Sequence, residues 1–180
     1  LEIKSLEFSS LPEKGWAVSN QGWHEDGKHR ALGASYDPLA GETYVSYLCD
    51  MGEKYKAMES EVIYEEYMTD DAELILVAYG YCARVSKEAV KIARSTGLKA
   101  GLLRPITLWP FPYQPIHDKA LQGRKFLAVE DSLGLMVEDV KIAVEGKAEV
   151  YLAGVALRHI PTEDGMILPA KVLEEIRRLL

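Results

Sequence analysis

The chain has 180 residues, 48% hydrophobic and 27% charged, with a formal net charge of -7. That is ordinary for a globular chain with one core, and acids spread along the sequence speak against nucleic-acid binding, which needs a clustered basic face. No apolar stretch approaches the ~20 residues that span a bilayer, and no signal peptide is visible, so a cytoplasmic protein without membrane contact is expected.

The first 73 residues read as an arm. Residues 6–41 have no lasting period and are punctuated by Gly15, Gly22, Gly27, Gly33, Pro38 and Gly41. A structureless connection this long is unusual within a compact domain. "TYVSYLCDMGEKYKAM" then places Tyr44, Leu48, Met51, Tyr55 and Met58 at four- and three-residue steps, which predicts an amphipathic helix over about 43–60. Six of the ten tyrosines and two of the three tryptophans precede Leu74. An arm so aromatic suits packing on a partner, or wrapping of its own domain.

From Leu74 the pattern changes. "LILVAYG" (74–80) reads as a strand buried on both faces. "ARVSKEAVKIARSTG" follows as a helix, with Val85, Ala89 and Ile92 on one face and Gly97 as its stop. "KAGLLR" (99–104) is the second strand, and it runs into "PITLWPFP". Three prolines allow neither helix nor central strand there. A short helix is predicted over 115–122, and a third strand, "KFLAVED", over 125–131. Ser132 can cap the next helix, whose buried stripe is Met136, Val140 and Ala143. "AEVYLAG" (148–154) is the fourth strand. Pro169 opens a last helix with Val172, Ile176 and Leu179 facing inward. Strand–helix alternation with continuous apolar strands predicts a three-layer α/β/α domain over 74–180 with a mainly parallel sheet.

Chemistry-bearing clusters are few. In "WHEDGKH", Trp23, His24, Glu25, Asp26 and His29 stand close together. The spacing is not that of a helical HExxH, so a polar loop or a partner contact is expected there and a metal is not. Cys49 and Cys82 are far apart without a CxxC, which excludes an iron–sulfur or zinc-ribbon site in this chain; reduced, structural thiols are expected. Gly80 stands at a strand-to-helix turn, but the glycine-rich phosphate patterns are absent. Glu130 and Asp131 end a strand, where paired acids bind magnesium, act as acid and base, or hold helix N-termini. Arg104 projects toward an acidic partner or phosphate, or pairs within the chain. Trp109 and Phe111 offer stiff apolar anchors to a neighbour, or fold over the domain's own core. No nucleophile elbow is present, and His117 and His159 have no partners visible in the sequence. No catalytic, cofactor-binding or metal residue is assigned.

Several runs together resemble one family. "AELILVAYGYCARVSKEAVKIARSTGLKAGLLRPITLWPFPYQPI", "KFLAVEDSLGLMVEDV", "NQGWHEDGKHRALG" and "GMILPAKVLEEIRRLL" are similar to the alpha subunit of 2-oxoacid:ferredoxin oxidoreductases, with greatest likeness to the 2-oxoisovalerate (branched-chain) type. The likeness spans roughly residues 15–180, and its most specific part is the proline motif. It implies a domain like the transketolase C-terminal domain, with about five strands and one antiparallel edge strand. "VIYEEY" (62–67) is the better match for that strand, and residues 16–19 the second. The resemblance implies that the complete enzyme uses thiamine diphosphate, magnesium and iron–sulfur clusters, with ferredoxin and coenzyme A as reaction partners. It also implies a thiamine-binding N-terminal domain and other subunits as neighbours, and leaves a homodimer open. None of the family's catalytic residues maps onto this chain, which begins with Leu1 and reads as a piece of a longer polypeptide. Arg104, Trp109, Phe111, Trp23 and His24 are the expected interface residues. The alternative is a self-standing α/β binding protein or enzyme that takes a nucleotide or acidic metabolite at the carboxy edge of its sheet.

Overall fold

The computed structural model describes residues 43–155 and 166–180. Trp23, His24, Glu25, Asp26, His29, the second-choice strand at 16–19 and His159 lie outside the described residues. The chain divides between Met51 and Gly52, and the unit Gly52–Leu180 holds the whole sheet. The segment before Leu74 supplies one strand of that sheet, Tyr64–Tyr67.

Helix α1 spans Tyr44–Met58. Thr43 and Ser46 cap it reciprocally: the Ser46 N–H donates to Thr43 Oγ1 (3.1 Å) and the Thr43 N–H to Ser46 Oγ (3.0 Å). None of its residues is buried. Strand β1 (Tyr64–Tyr67) follows, then β2 (Leu74–Ala78), α2 (Gly80–Ser95), β3 (Ala100–Pro105), α3 (Tyr113–Leu121), β4 (Lys125–Val129), α4 (Met136–Val144), β5 (Val150–Ala153) and α5 (Pro169–Leu179).

The strands form one sheet in the order β1-β3-β2-β4-β5. β2 runs parallel to β3 and β4, and β4 parallel to β5. β1 is antiparallel to β3, with Glu65 opposite Arg104 and Tyr64 opposite Pro105. Pro105 is tolerated because the ladder with β2 has already ended at Leu103. Every residue of β2 is buried, yet the two faces differ. Leu74, Leu76 and Ala78 pack with α2 and α5, while Ile75 and Val77 pack with α3 and α4. This is the expected three-layer α/β/α architecture, with one antiparallel edge strand.

Two helices differ from expectation. Along α2 the buried stripe is Cys82, Ala83, Ser86, Ala89, Val90 and Ala93, and Ile92 lies on the exposed side. Small residues form that stripe because α2 lies between the sheet and α5. Helix α3 begins at Tyr113, two residues before the predicted start at Pro115, so Pro115 falls within its first turn, where a missing N–H costs little. Gly97 ends α2 as predicted, with φ +86°.

The β1–β2 turn is tied down by Arg94. Its Nε donates to the Ala100 carbonyl (2.6 Å), one Nη to the Met68 carbonyl (2.6 Å), and the other pairs with Asp71 at 2.8 Å. That hydrogen bond and charge outweigh the local loss of solvent and hold the Asp71 carboxyl below its ordinary value. A Cβ on Gly101 would stand 2.5 Å from the locked Met68 oxygen and 3.0 Å from Ala72 Cβ. Gly101→Ala is therefore expected to cost about 1–3 kcal/mol of stability by overpacking, read as a lowered urea midpoint with an unchanged slope. An unchanged midpoint would mean that the turn yields.

Candidate functional site

The segment after β3 forms the side of a groove. It is held by the backbone before β1: the N–H groups of Ile106 and Thr107 donate to the Ile63 carbonyl (2.9 and 3.1 Å), and the Ile63 N–H donates to Thr107 Oγ1 (3.0 Å). The Trp109–Pro110 bond is cis. The groove holds about 710 Å³ and is lined by Tyr55, Val62, Tyr64, Trp109, Pro110 and Tyr113, among others, with Glu59 and Asp118 also contributing.

The two aromatic rings expected to act together separate here. Trp109 is 58% exposed and meets Tyr55 edge-on, with centroids 5.2 Å apart. Phe111 is 4% exposed and belongs to the core cluster with Ile75, Val77, Leu103 and Ile116. Phe111 is thus removed from the expected interface set. With Pro110 between them, the chain turns one ring outward and the other under the sheet. Phe111 also contacts Tyr113 edge-on at 5.2 Å, and the Tyr113 hydroxyl donates to Asp139 Oδ1 on α4 (2.7 Å). That bond, with burial, pushes the Tyr113 phenol up to about 12.

Arg104 follows its intramolecular alternative: Nη1 pairs with Glu65 at 3.0 Å across the β1–β3 ladder. Its Nε is buried without an acceptor. On the opposite face of β1, Glu66 pairs with Lys119 of α3 at 3.0 Å and accepts from the Thr69 hydroxyl.

At the carboxy edge of β2 and β4 the chain reverses its direction of winding, which is where open α/β sheets place ligands. Glu130 fills one side. It is 1% exposed, and its carboxylate accepts from the N–H groups of Leu135 (2.9 Å), Met136 (2.9 Å) and Val137 (3.0 Å) and from the Ser132 hydroxyl (2.8 Å). Burial pushes this carboxyl up, but the four hydrogen bonds outweigh it and hold it below the ordinary value. Glu130, rather than Ser132, caps α4; Ser132 supports it and accepts from the Gly134 N–H (3.0 Å). Asp131 stands on the other side, near the Tyr81 hydroxyl; burial and then the neighbouring Asp131 carboxylate push the phenol up to about 12.

These residues do not fit the groups that the resemblance implies for the complete enzyme. A diphosphate needs free helix N-termini and cations, whereas here a carboxylate already occupies the α4 N-terminus and Asp131 adds a second negative charge. Iron–sulfur clusters take four ligands. Of the two thiols, Cys82 is buried, with burial pushing its pKa up, and Cys49 is exposed on α1, so the expectation of a buried thiol applies to Cys82 alone. Among the described residues no group of three or more His, Cys, Asp or Glu is placed to hold a metal ion. Nor is any described helix long and apolar enough to cross a membrane.

Comparisons with known proteins agree with one another. Residues 72–164 match the family pyruvate:ferredoxin oxidoreductase core domain II. The ketoisovalerate oxidoreductase subunit VorB of Methanothermobacter marburgensis is 48% identical over 133 residues, covering 73% of this chain and 36% of the relative. The 2-oxoglutarate synthase subunit KorA of the same organism is 38% identical over 116 residues, covering 64% of this chain and 30% of the relative. The chain thus spans about a third of the length of these curated relatives. Among solved structures, the 2-oxoglutarate:ferredoxin oxidoreductase from Magnetococcus marinus with 2-oxoglutarate, coenzyme A and succinyl-CoA bound overlays on 86% of this chain and 25% of its own, with a TM-score of 0.56 at 15% identity. A split-gene transketolase in an inactive beta4 tetramer covers 63% of this chain and 40% of its own, with a TM-score of 0.53 at 15% identity. At such identities the likeness concerns the fold alone.

Proposed function

Because this chain belongs to the pyruvate:ferredoxin oxidoreductase core domain II family, we propose that it serves as the non-catalytic assembly domain of a 2-oxoacid:ferredoxin oxidoreductase subunit. The complete cytoplasmic enzyme would decarboxylate a 2-oxoacid oxidatively, pass electrons to ferredoxin and the acyl group to coenzyme A. Identity of 48% to a ketoisovalerate oxidoreductase subunit supports a branched-chain 2-oxoacid as substrate. Thiamine diphosphate, magnesium and iron–sulfur clusters belong in this reading to other domains and subunits. The chain alone is accordingly expected to show no 2-oxoacid-dependent ferredoxin reduction.

The observation that carries the assembly role is Trp109. A large aromatic ring stands exposed at the rim of an apolar groove, on a segment anchored to Ile63. Exposed apolar surface beside a groove marks a contact region, and a preorganised loop loses little entropy when a partner docks. The occupant we assign is another domain of the complete subunit, the part of the relatives' length that this chain does not match.

Trp109→Ala tests it with the 180-residue chain titrated against the separately produced remainder of the complete subunit. Association is expected to weaken by about 2 kcal/mol, roughly 30-fold in Kd, the scale of an aromatic hot spot. Urea unfolding of the 180-residue chain should change by about 1 kcal/mol or less, the value of the lost Tyr55 ring contact. Unchanged association of the variant would sink the docking reading.

A further inference from the structure

A second, smaller concavity lies on the other face of the β1–β3 edge. It holds about 320 Å³ and is walled by Tyr67, Ala83 and Leu102, with Arg84, Lys87 and Arg104 around it. Cross-strand pairing and side-chain alternation put Glu65 on the same face as Arg104. Glu66 also touches this notch, but its carboxylate is engaged by Lys119 and Thr69.

We propose that this notch binds a small phosphate ester, its phosphate held by Arg84, Lys87 and Arg104 and its organic part lying on Tyr67 and Leu102. Charge points to an anion. Three cations face one carboxylate not otherwise engaged, Glu65, in a chain whose net charge is -7. Their donors are largely unspent. The Arg84 side chain has no hydrogen bond or ion pair among the described residues. Lys87 has no carboxylate partner there and lies 4.9 Å from the Tyr67 ring centroid. Arg104 spends one Nη on Glu65, while its buried Nε–H has no acceptor. A guanidinium fork with open donors beside a second guanidinium and an ammonium suits the oxygens of a phosphate. Size and walls point to an ester rather than a bare ion. The volume lies at the lower end for organic-ligand pockets, and the ring and aliphatic walls have no use for inorganic phosphate.

Calorimetric titration of the full chain at low salt tests this with three probes: ribose 5-phosphate, inorganic phosphate and ribose. Ribose 5-phosphate is expected to bind with a Kd of about 1 mM or tighter, inorganic phosphate about tenfold more weakly, and ribose without detectable heat. Added salt should weaken the ester, since the cations are exposed. Arg84→Gln and Lys87→Gln should each cost about tenfold in affinity. Both residues sit on the exposed side of α2, so thermal unfolding of these variants should match the parent. No heat from ribose 5-phosphate at about 10 mM would overturn the proposal, because a site with a millimolar Kd would be mostly filled. So would affinity unaltered in both variants, which would put the ligand elsewhere. Equal affinity for inorganic phosphate would reduce the notch to an adventitious ion site only.

Discussion

Phe111→Ala is expected to lower the unfolding free energy of the chain by about 3–5 kcal/mol, several times the loss from Trp109→Ala two residues earlier. The phenyl ring is buried among Ile75, Val77, Leu103, Ile116 and Phe126, beneath the central strands. Deleting it removes its transfer free energy and leaves a cavity, because β2 is hydrogen-bonded to β3 on one side and β4 on the other and the strands cannot collapse inward. The edge-on contact with Tyr113 goes as well, and with it one support of the Tyr113–Asp139 bond that ties α3 to α4. Urea denaturation of the parent and both alanine variants gives the comparison directly. A loss below about 1.5 kcal/mol for Phe111→Ala would place the ring outside the core.

Glu130→Ala should be comparably damaging, at about 3 kcal/mol or more. Three backbone N–H groups at the start of α4 lose their acceptor, two of them in buried hydrogen bonds. A lost helix cap costs about 0.5–2 kcal/mol, and each buried unsatisfied donor adds about 1–3. Water cannot readily replace the carboxylate, because the end of β5 presses on the same loop. The Val155 N–H donates to the Ser132 carbonyl at 3.2 Å, and a Cβ on Gly154 would stand 2.5 Å from that oxygen. The same residue makes stability depend on pH. Its folded pKa lies below the unfolded one, so the native state binds this proton less readily than the unfolded chain. The contribution of Glu130 is therefore fully present above the ordinary value of 4.5 and is lost as pH falls through the lower folded value. Glu130→Gln keeps the shape but cannot titrate, so its stability should fall less steeply than the parent's below about pH 4.5. Parallel curves for the two proteins in that range would show that the carboxylate is not held in its charged form.

Much of this fold was legible in the chain. Continuous apolar runs marked the buried strands, and Gly97 and Pro169 marked a helix end and a helix start, because those signals depend only on local backbone geometry and on burial of both sheet faces. "VIYEEY" was readable as the antiparallel edge strand only through the family resemblance, since four of its residues alternate weakly and carry two acids.

Packing decided the rest. Val85, Ala89 and Ile92 obey helical spacing, and Ala89 is buried with Val85 packed against the core, yet Ile92 falls outside the stripe of mostly small residues that α2 turns toward α5 and the sheet. Ser132 has the chemistry of a cap, but Glu130 from the strand end has the reach and the burial to receive three N–H groups at once. Arg104 meets Glu65 only because β1 returns antiparallel to β3 from 39 residues away. By itself the sequence determined the strand–helix order, the layered architecture and the family likeness, all of which follow from periodicity and motif. Only the tertiary structure decided which ring of "WPFP" is core and which is surface. Phe111 and Trp109 are equally apolar in one proline-rich loop, and what separates them is where the anchored loop crosses the edge of the sheet.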